Sequence, residues 1–414
     1  MLFRNSYKYL IFLLIFFSCS KNQILPQPDI NPGNVSFVSD TSMKKMEGIY
    51  TLSSGSSVLG TQFVCKASKY RVSFFSNAGG IFMILQYGLD PTDGSLKFSG
   101  FWRFSQVPTQ GLINFTIPKA DALAFLATGD ISNLSIPGTV YDPDNHSSPI
   151  TLKFSKAFSA YAKVAPFEIY AHHGVQTTSN PPFAQNSING VLNDEDYGVN
   201  GLEYDVQLTL DQVPIMMHDG NIDIRLTQKS PISGDYNQYS FSFLEDYIRL
   251  VDGQKIPSLD QCLTAFIDST TMKYFWMDIK GDPGVFQALL PVVQKAYAHA
   301  ASVGREVVIY ADLPSKTVIG QFQSYPAYRQ SGLPTMCELT YQDVVDNGCT
   351  RWGPRYSRGL LLSDVATAHA AGIKVISWTL NEKSLIDNYI QNGQFDGFIS
   401  DYPCYVVYDF YTMK

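Results

Sequence analysis

The sequence predicts an α/β fold in which a (β/α)8 TIM barrel over residues 164–414 follows a small all-β domain over residues 45–163. Three observations predict it. Beyond Lys163, short β-branched apolar runs alternate with longer segments of helical apolar spacing, which is the rhythm of a parallel barrel. Before Lys163, short alternating runs succeed one another with only turn residues between, as in an antiparallel sandwich or barrel. The composition, 45% hydrophobic and 16% charged over 414 residues, suits globular domains with real cores rather than a disordered or fibrous chain.

The elements follow in chain order. Arg4 and Lys8 precede an apolar core, Tyr9 to Phe17, that is too short to span a bilayer comfortably. Ser18-Cys19 then resembles a bacterial lipoprotein cleavage site, so residues 1–19 are expected to be a signal peptide, with Cys19 lipidated. That places the mature protein in the bacterial cell envelope, held to a membrane through its lipid anchor. Residues 20–44 carry Pro26, Pro28 and Pro32 among polar residues and read as a tether. Strands are expected at 70–75, 80–85, 96–101, 112–117 and 150–154, with one helix near 120–125. His146, beside Asp142 and Asp144, lies in a Pro/Ser-rich loop and reads as solvated.

Eight strands are expected in the second part: 167–171, 201–206, 213–217, 274–279, 306–310, 335–339, 374–378 and 397–400. Helices between them begin at signals such as Pro257-Ser258, and Gly304, Gly372 and Gly393 follow helical segments. The second and third strands are too close for a helix between them, which predicts an irregular barrel there. The cysteines left beside Cys19 are odd in number and lack zinc or disulfide spacing. Buried thiols are expected, and Cys337 and Cys349 are the pair able to bond in an oxidising compartment. A formal charge of -7, with no run of Lys and Arg, excludes a nucleic-acid surface.

The carboxyl ends of barrel strands carry the chemistry of such folds. Those ends hold His172-His173-Gly174, Glu203-Tyr204-Asp205, His218-Asp219-Gly220, Asp278-Ile279-Lys280 and Trp378. Glu203 and Asp205, two apart on a strand, share one face. Two carboxylates aimed into a barrel mouth repel each other and lose solvation unless a cation lies between them. Asp278 completes a three-carboxylate set, and oxygen-only ligands favour Ca2+ or Mg2+. His172 and His218, from different strands at one rim, can serve as general acid and base.

Taken in order, Tyr170–Gly174, Gly201–Thr209 and Val213–Asp219 resemble the glycerophosphodiester phosphodiesterase family. Arg225–Thr227, Gly253–Leu259, Trp378–Asn381 and Asp396–Pro403 extend that resemblance over roughly residues 165–405. It implies that His172 and His218 are the catalytic pair, that Glu203, Asp205 and Asp278 bind the metal, and that His173, Lys280 and Trp378 face the substrate. Three positions depart from the family pattern: His173 stands for Arg, Gln185 for Glu and Asp278 for Glu. The first removes a bidentate phosphate fork. The last shortens one arm by a methylene.

The implied reaction is metal-dependent hydrolysis of a phosphodiester small molecule or lipid head group to an alcohol and a phosphomonoester. One alternative is phospholipase C-like head-group cleavage through a cyclic phosphate. The other is a catalytically inactive glycan- or lipid-binding surface lipoprotein.

Overall fold

The computed structural model describes residues 33–175 and 183–413. The predicted leader, Cys19 and the first part of the tether lie outside the described residues. The rest of that tether is not free chain: Ser36 bridges to Leu89, and a helical turn at Asp40–Met43 buries Met43.

The first sheet is a closed antiparallel barrel whose strands run in sequence order. They are β1 (Gly48–Gly55), β2 (Gln62–Ser68), β3 (Arg71–Ser76), β4 (Ile81–Leu89), β5 (Leu96–Phe104), β6 (Gln110–Ile117), β7 (Ser135–Tyr141) and β8 (Ser147–Lys156). The choice left open between sandwich and barrel is decided by the pairing of β1 with β8. Strand alternation then makes two apolar faces. Tyr50, Phe63, Cys65, Phe74, Met83 and Phe115 fill the interior of this barrel. Their neighbours Ile49, Val64, Phe75, Phe82, Ile84 and Phe101 are also buried, but in the core of the second barrel's cluster. Phe82 meets Tyr197 with ring centroids 5.0 Å apart, and Arg71 pairs with the buried Asp196. The helix Pro403–Met413 packs against β2 and β3 on one side and the second sheet on the other.

The second sheet contains β9 (Glu168–His172), β10 (Gly201–Leu208), β11 (Pro214–Met216), β12 (Tyr274–Ile279), β13 (Val308–Leu313), β14 (Thr335–Cys337), β15 (Arg351–Trp352), β16 (Lys374–Ser377) and β17 (Gly397–Ser400). All of these except β11 are parallel, and β9 pairs with both β10 and β17, which closes the barrel. The strand expected third is therefore not a stave. β11 folds back antiparallel on β10, with Val206 opposite Met216, as the short connection requires. The missing stave is β15, whose two residues are too few to show a periodicity. Ser258 caps the helix Leu259–Ser269 in a reciprocal box with Gln261, as its sequence signal predicts.

Inside this barrel the alternation stacks side chains in layers. At the amino-terminal end the buried Glu168 accepts hydrogen bonds from Arg351 (2.9 Å), Tyr170 (2.5 Å) and Tyr310 (3.1 Å). Tyr170, Tyr274, Trp276, Tyr310 and Met336 fill the middle. Gly201 is required there: a Cβ at that position would lie 2.7 Å from the Tyr170 ring. The described cysteines are all buried free thiols, so Cys337 and Cys349 do not pair.

On the joining helix, the fully buried Asp409 receives Lys383 Nζ at 2.8 Å. Burial first, and then the hydrogen bond with Asp387, raise its carboxyl to about 7. A folded-state value above the unfolded one stabilises fully at low pH and is lost as pH rises through about 7. Asp409→Asn is therefore expected to flatten the decline in melting temperature between about pH 4 and pH 7, measured by calorimetry against the unaltered chain.

Candidate active site

Register decides which functional side chains become neighbours. In the parallel pairing His172 lies opposite Glu203, and Asp205 lies opposite Asp278. Because residues two apart share a face, these four point together into the mouth at the carboxyl ends of the strands. His218 arrives differently, from the residues just after β11, so the hairpin that is not a stave delivers the second histidine. Gln207, one step further along the Glu203/Asp205 face, holds that segment. Its Nε2 donates to the carbonyls of Met217, His218 and Asp219 at 2.9, 3.0 and 2.5 Å.

Each histidine has its own carboxylate. His172 Nδ1 lies 2.6 Å from Asp401 Oδ1, and Asn381 Nδ2 donates to the other oxygen of Asp401 at 2.5 Å. Burial alone would lower the His172 imidazolium, but the Asp401 hydrogen bond and the Glu203 charge outweigh it and lift it to about 9. His218 Nδ1 lies 2.8 Å from Asp219 Oδ1, and Arg225 clamps Asp219 from beyond, with Nε–Oδ2 at 2.7 Å. Gln185 joins this chain by accepting from Arg225 Nη1 at 3.4 Å.

Glu203 and Asp205 are buried side by side, and the strain of that placement is divided between them. Burial, then the charge of Asp205, raises Glu203 well above the usual range. Asp205 resists burial because His173, Lys280 and His218 surround it, and its carboxyl is held well below the usual range. Asn186 binds Asp205 twice, donating Nδ2 to Oδ2 at 2.7 Å and accepting the backbone N–H of Asp205 at 2.9 Å. Lys280 Nζ sits 2.6 Å from Asp205 Oδ1 and 2.7 Å from Asp278 Oδ2. Asp205 Oδ1 is therefore held by the lysine, whereas Asp278 Oδ1 is an acceptor without a hydrogen bond. A divalent cation fits this donor set: Glu203, Asp205 and Asp278 can each bring one oxygen within 4.8 Å of the others.

The residues expected to face substrate divide. Trp378 follows β16 at the mouth, its Nε1 donating to Gly353 O at 2.7 Å, with the Arg355 guanidinium 5.5 Å above its ring. Lys280 is drawn onto the two carboxylates. His173 is buried beside Glu203 and Asp205. Its backbone, at φ 53°, donates its N–H to Glu203 Oε2 at 3.1 Å, and its ring lies between those of His172 (3.7 Å) and His218 (5.0 Å). Burial first, with His172 adding to it, lowers the His173 imidazolium to about 4.

Asp401, Asn381, Asp219, Arg225, Asn186 and Gln207 had no assigned role in the sequence reading. Asp401 carried a usable signal, since it follows β17 directly, at the same kind of strand end that singled out His172. Asp312 and Glu338 extend the acidic arc to the next two strands. Trp276 Nε1 donates to Asp312 Oδ2 at 3.1 Å, and burial, then the Asp278 charge, raises Asp312 to about 7. A cavity of about 480 Å³ lined by Phe167, Tyr389, Phe395 and Asp396 lies at the opposite, amino-terminal end of the strands. In the first barrel, Asp142, Asp144 and His146 form an exposed loop in which Asp142 Oδ1 accepts backbone N–H groups.

Asp401→Asn is expected to bring the His172 imidazolium down from about 9 in cation-free protein, read by NMR titration of the ring. An unchanged titration would separate Asp401 from this role.

Residues 174–329 match the family model for the glycerophosphoryl diester phosphodiesterase family. The matched segment contains Glu203, Asp205, His218, Asp278 and Lys280, and it begins just after His172 and His173. Among solved structures, the chain is similar to an Oleispira antarctica phosphodiesterase in complex with the product sn-glycerol-3-phosphate. That match has 18% identity and a TM-score of 0.48, over 58% of this chain and 96% of that one. A glycerophosphodiester phosphodiesterase from Parabacteroides distasonis matches at 20% identity and TM-score 0.45, over 57% and 93%. One from Thermotoga maritima matches at 18% and 0.44, over 58% and 97%. No curated protein matches the chain in sequence.

Proposed function

From the match of residues 174–329 to the glycerophosphoryl diester phosphodiesterase family model, we propose that this protein hydrolyses glycerophosphodiesters or closely related phosphodiesters with a divalent cation at Glu203, Asp205 and Asp278. The observation that carries the reading is the pair of histidines on either side of the His173 ring, beside the carboxylates, each with its own acidic partner. The leader and lipidated Cys19 expected from the sequence support a reaction outside the cytoplasm, beside a membrane.

His172 is the general acid. Asp401, 2.6 Å from its Nδ1, favours the imidazolium form, which has a proton to give. His218 is the general base, oriented by Asp219 and exposed enough to reach a water molecule. Water attacks phosphorus as His218 takes its proton. The bond from phosphorus to the alcohol oxygen breaks, and the leaving oxygen receives the His172 proton. The products are an alcohol and a phosphomonoester. A bound cation supplies positive charge to the non-bridging phosphate oxygens. Lys280, already charged between Asp205 and Asp278, adds a second cationic group at the same edge. Trp378 forms an apolar wall at the rim.

His172→Ala and His218→Ala are each expected to lower turnover of a glycerophosphodiester panel by about 10²- to 10⁴-fold. Chelator should abolish the wild-type rate, and divalent cations should restore it. Wild-type activity no higher than that of His172→Ala under every cation condition would defeat the proposal. A cyclic phosphate product would redirect it to attack by a substrate hydroxyl.

A further inference from the structure

His173 is the one histidine at the mouth whose Nδ1 is not committed. His172 gives that atom to Asp401 and His218 gives it to Asp219. His173 Nδ1 makes no aligned hydrogen bond, although the residue is only 8% exposed. It lies 2.8 Å from Asp205 Oδ2 and 3.4 Å from Glu203 Oε2, aimed between the two carboxylates. A buried polar atom costs free energy unless it finds a partner, and an orphaned nitrogen beside two crowded carboxylates is a donor waiting for a cation.

The backbone holds it in that position. The left-handed turn at His173 (φ 53°) is fastened by its own N–H to Glu203 Oε2, and its carbonyl accepts Asn186 N–H at 2.9 Å. Asn186 in turn grips Asp205. The loop bearing the nitrogen and the strand bearing the oxygens are thus tied into one unit. His173 also joins Glu203 in one possible donor set and Asp205 in another.

Resting on the cation-dependent reading above, we propose that His173 Nδ1 is a direct ligand of the ion. The site is then a mixed nitrogen–oxygen centre that selects a first-row transition ion in the range Mn2+ to Zn2+ over Ca2+ or Mg2+. Carboxylate oxygens alone suit the hard alkaline-earth ions, whereas an imidazole donor shifts the order toward softer ions that gain from a nitrogen bond. Asp278, with one oxygen held by Lys280, contributes at most its remaining oxygen, Oδ1. That thins the oxygen set an alkaline-earth ion needs.

The test uses the full chain stripped of metal, titrated calorimetrically with Mg2+, Ca2+, Mn2+, Co2+ and Zn2+, and pulsed EPR of the Mn2+-loaded protein to detect a coordinated nitrogen. Wild type is expected to bind the transition ions about tenfold or more tightly than Ca2+, and to show nitrogen coupling. His173→Gln should lose both the coupling and the preference, while His218→Gln keeps them. His173→Asn provides the same reading if the first variant does not fold, with thermal unfolding of the stripped proteins as the check. Coupling unchanged in the His173 variants, or a wild-type preference for Ca2+ or Mg2+, overturns the assignment and leaves the hydrolase reading intact. Absence of binding by every ion would overturn both.

Discussion

The mouth of the second barrel is built around a repulsion. Parallel register forces Glu203, Asp205 and Asp278 onto one face of two adjoining strands, with Asp312 on the next strand and Glu338 just past the one after it. Such a cluster cannot all be ionised in a buried setting without compensation. The surrounding residues supply it group by group. Lys280 bridges two of the acids, Asn186 donates to the carboxylate of one of them, and Glu203, Asp312 and Glu338 are pushed upward toward their neutral forms. The compensation that remains open, among the orphaned oxygens and the His173 nitrogen, marks where a cation fits.

The same electrostatic logic sets the two histidines apart. His172 is the less exposed of the two and favours a proton because Asp401 is hydrogen-bonded to its ring, and Asp401 is itself fixed by Asn381. His218 stands on a hairpin outside the circle of staves, steadied by the amide of Gln207 and by Asp219. Two residues of one type thus acquire different surroundings from different elements, the physical basis for dividing acid and base work between them. The aromatic and charged layers below, closed by Glu168 and Arg351, give this rim a rigid floor.

The antiparallel barrel is bound tightly into this arrangement. One face of its strands fills its own interior, and the other packs with the second barrel and the helix Pro403–Met413. That helix follows shortly after Asp401, so the packing between the barrels and the position of the acid that holds His172 are mechanically continuous.

Much of this was legible in the sequence, because it depends on local pattern. Alternation marked most of the strands, Ser258 marked its helix start, and the ordered His172, Glu203/Asp205, His218 and Asp278 marked the rim. What escaped was set by long-range pairing. Val213–Met217 reads as a stave by composition, and only its antiparallel hydrogen bonds with β10 show it to be a hairpin. Arg351–Trp352 reads as nothing, and becomes a stave because its neighbours on either side need one. Adjacency in sequence also does not tell that the His173 ring, in a left-handed turn, lies against Asp205. The sequence by itself determined which chemical groups this protein has and which strand ends carry them. The tertiary structure decided their partnerships, because whether a buried imidazole meets a carboxylate, a cation or a phosphate depends on register and burial, and those are properties of the closed barrel rather than of any segment within it.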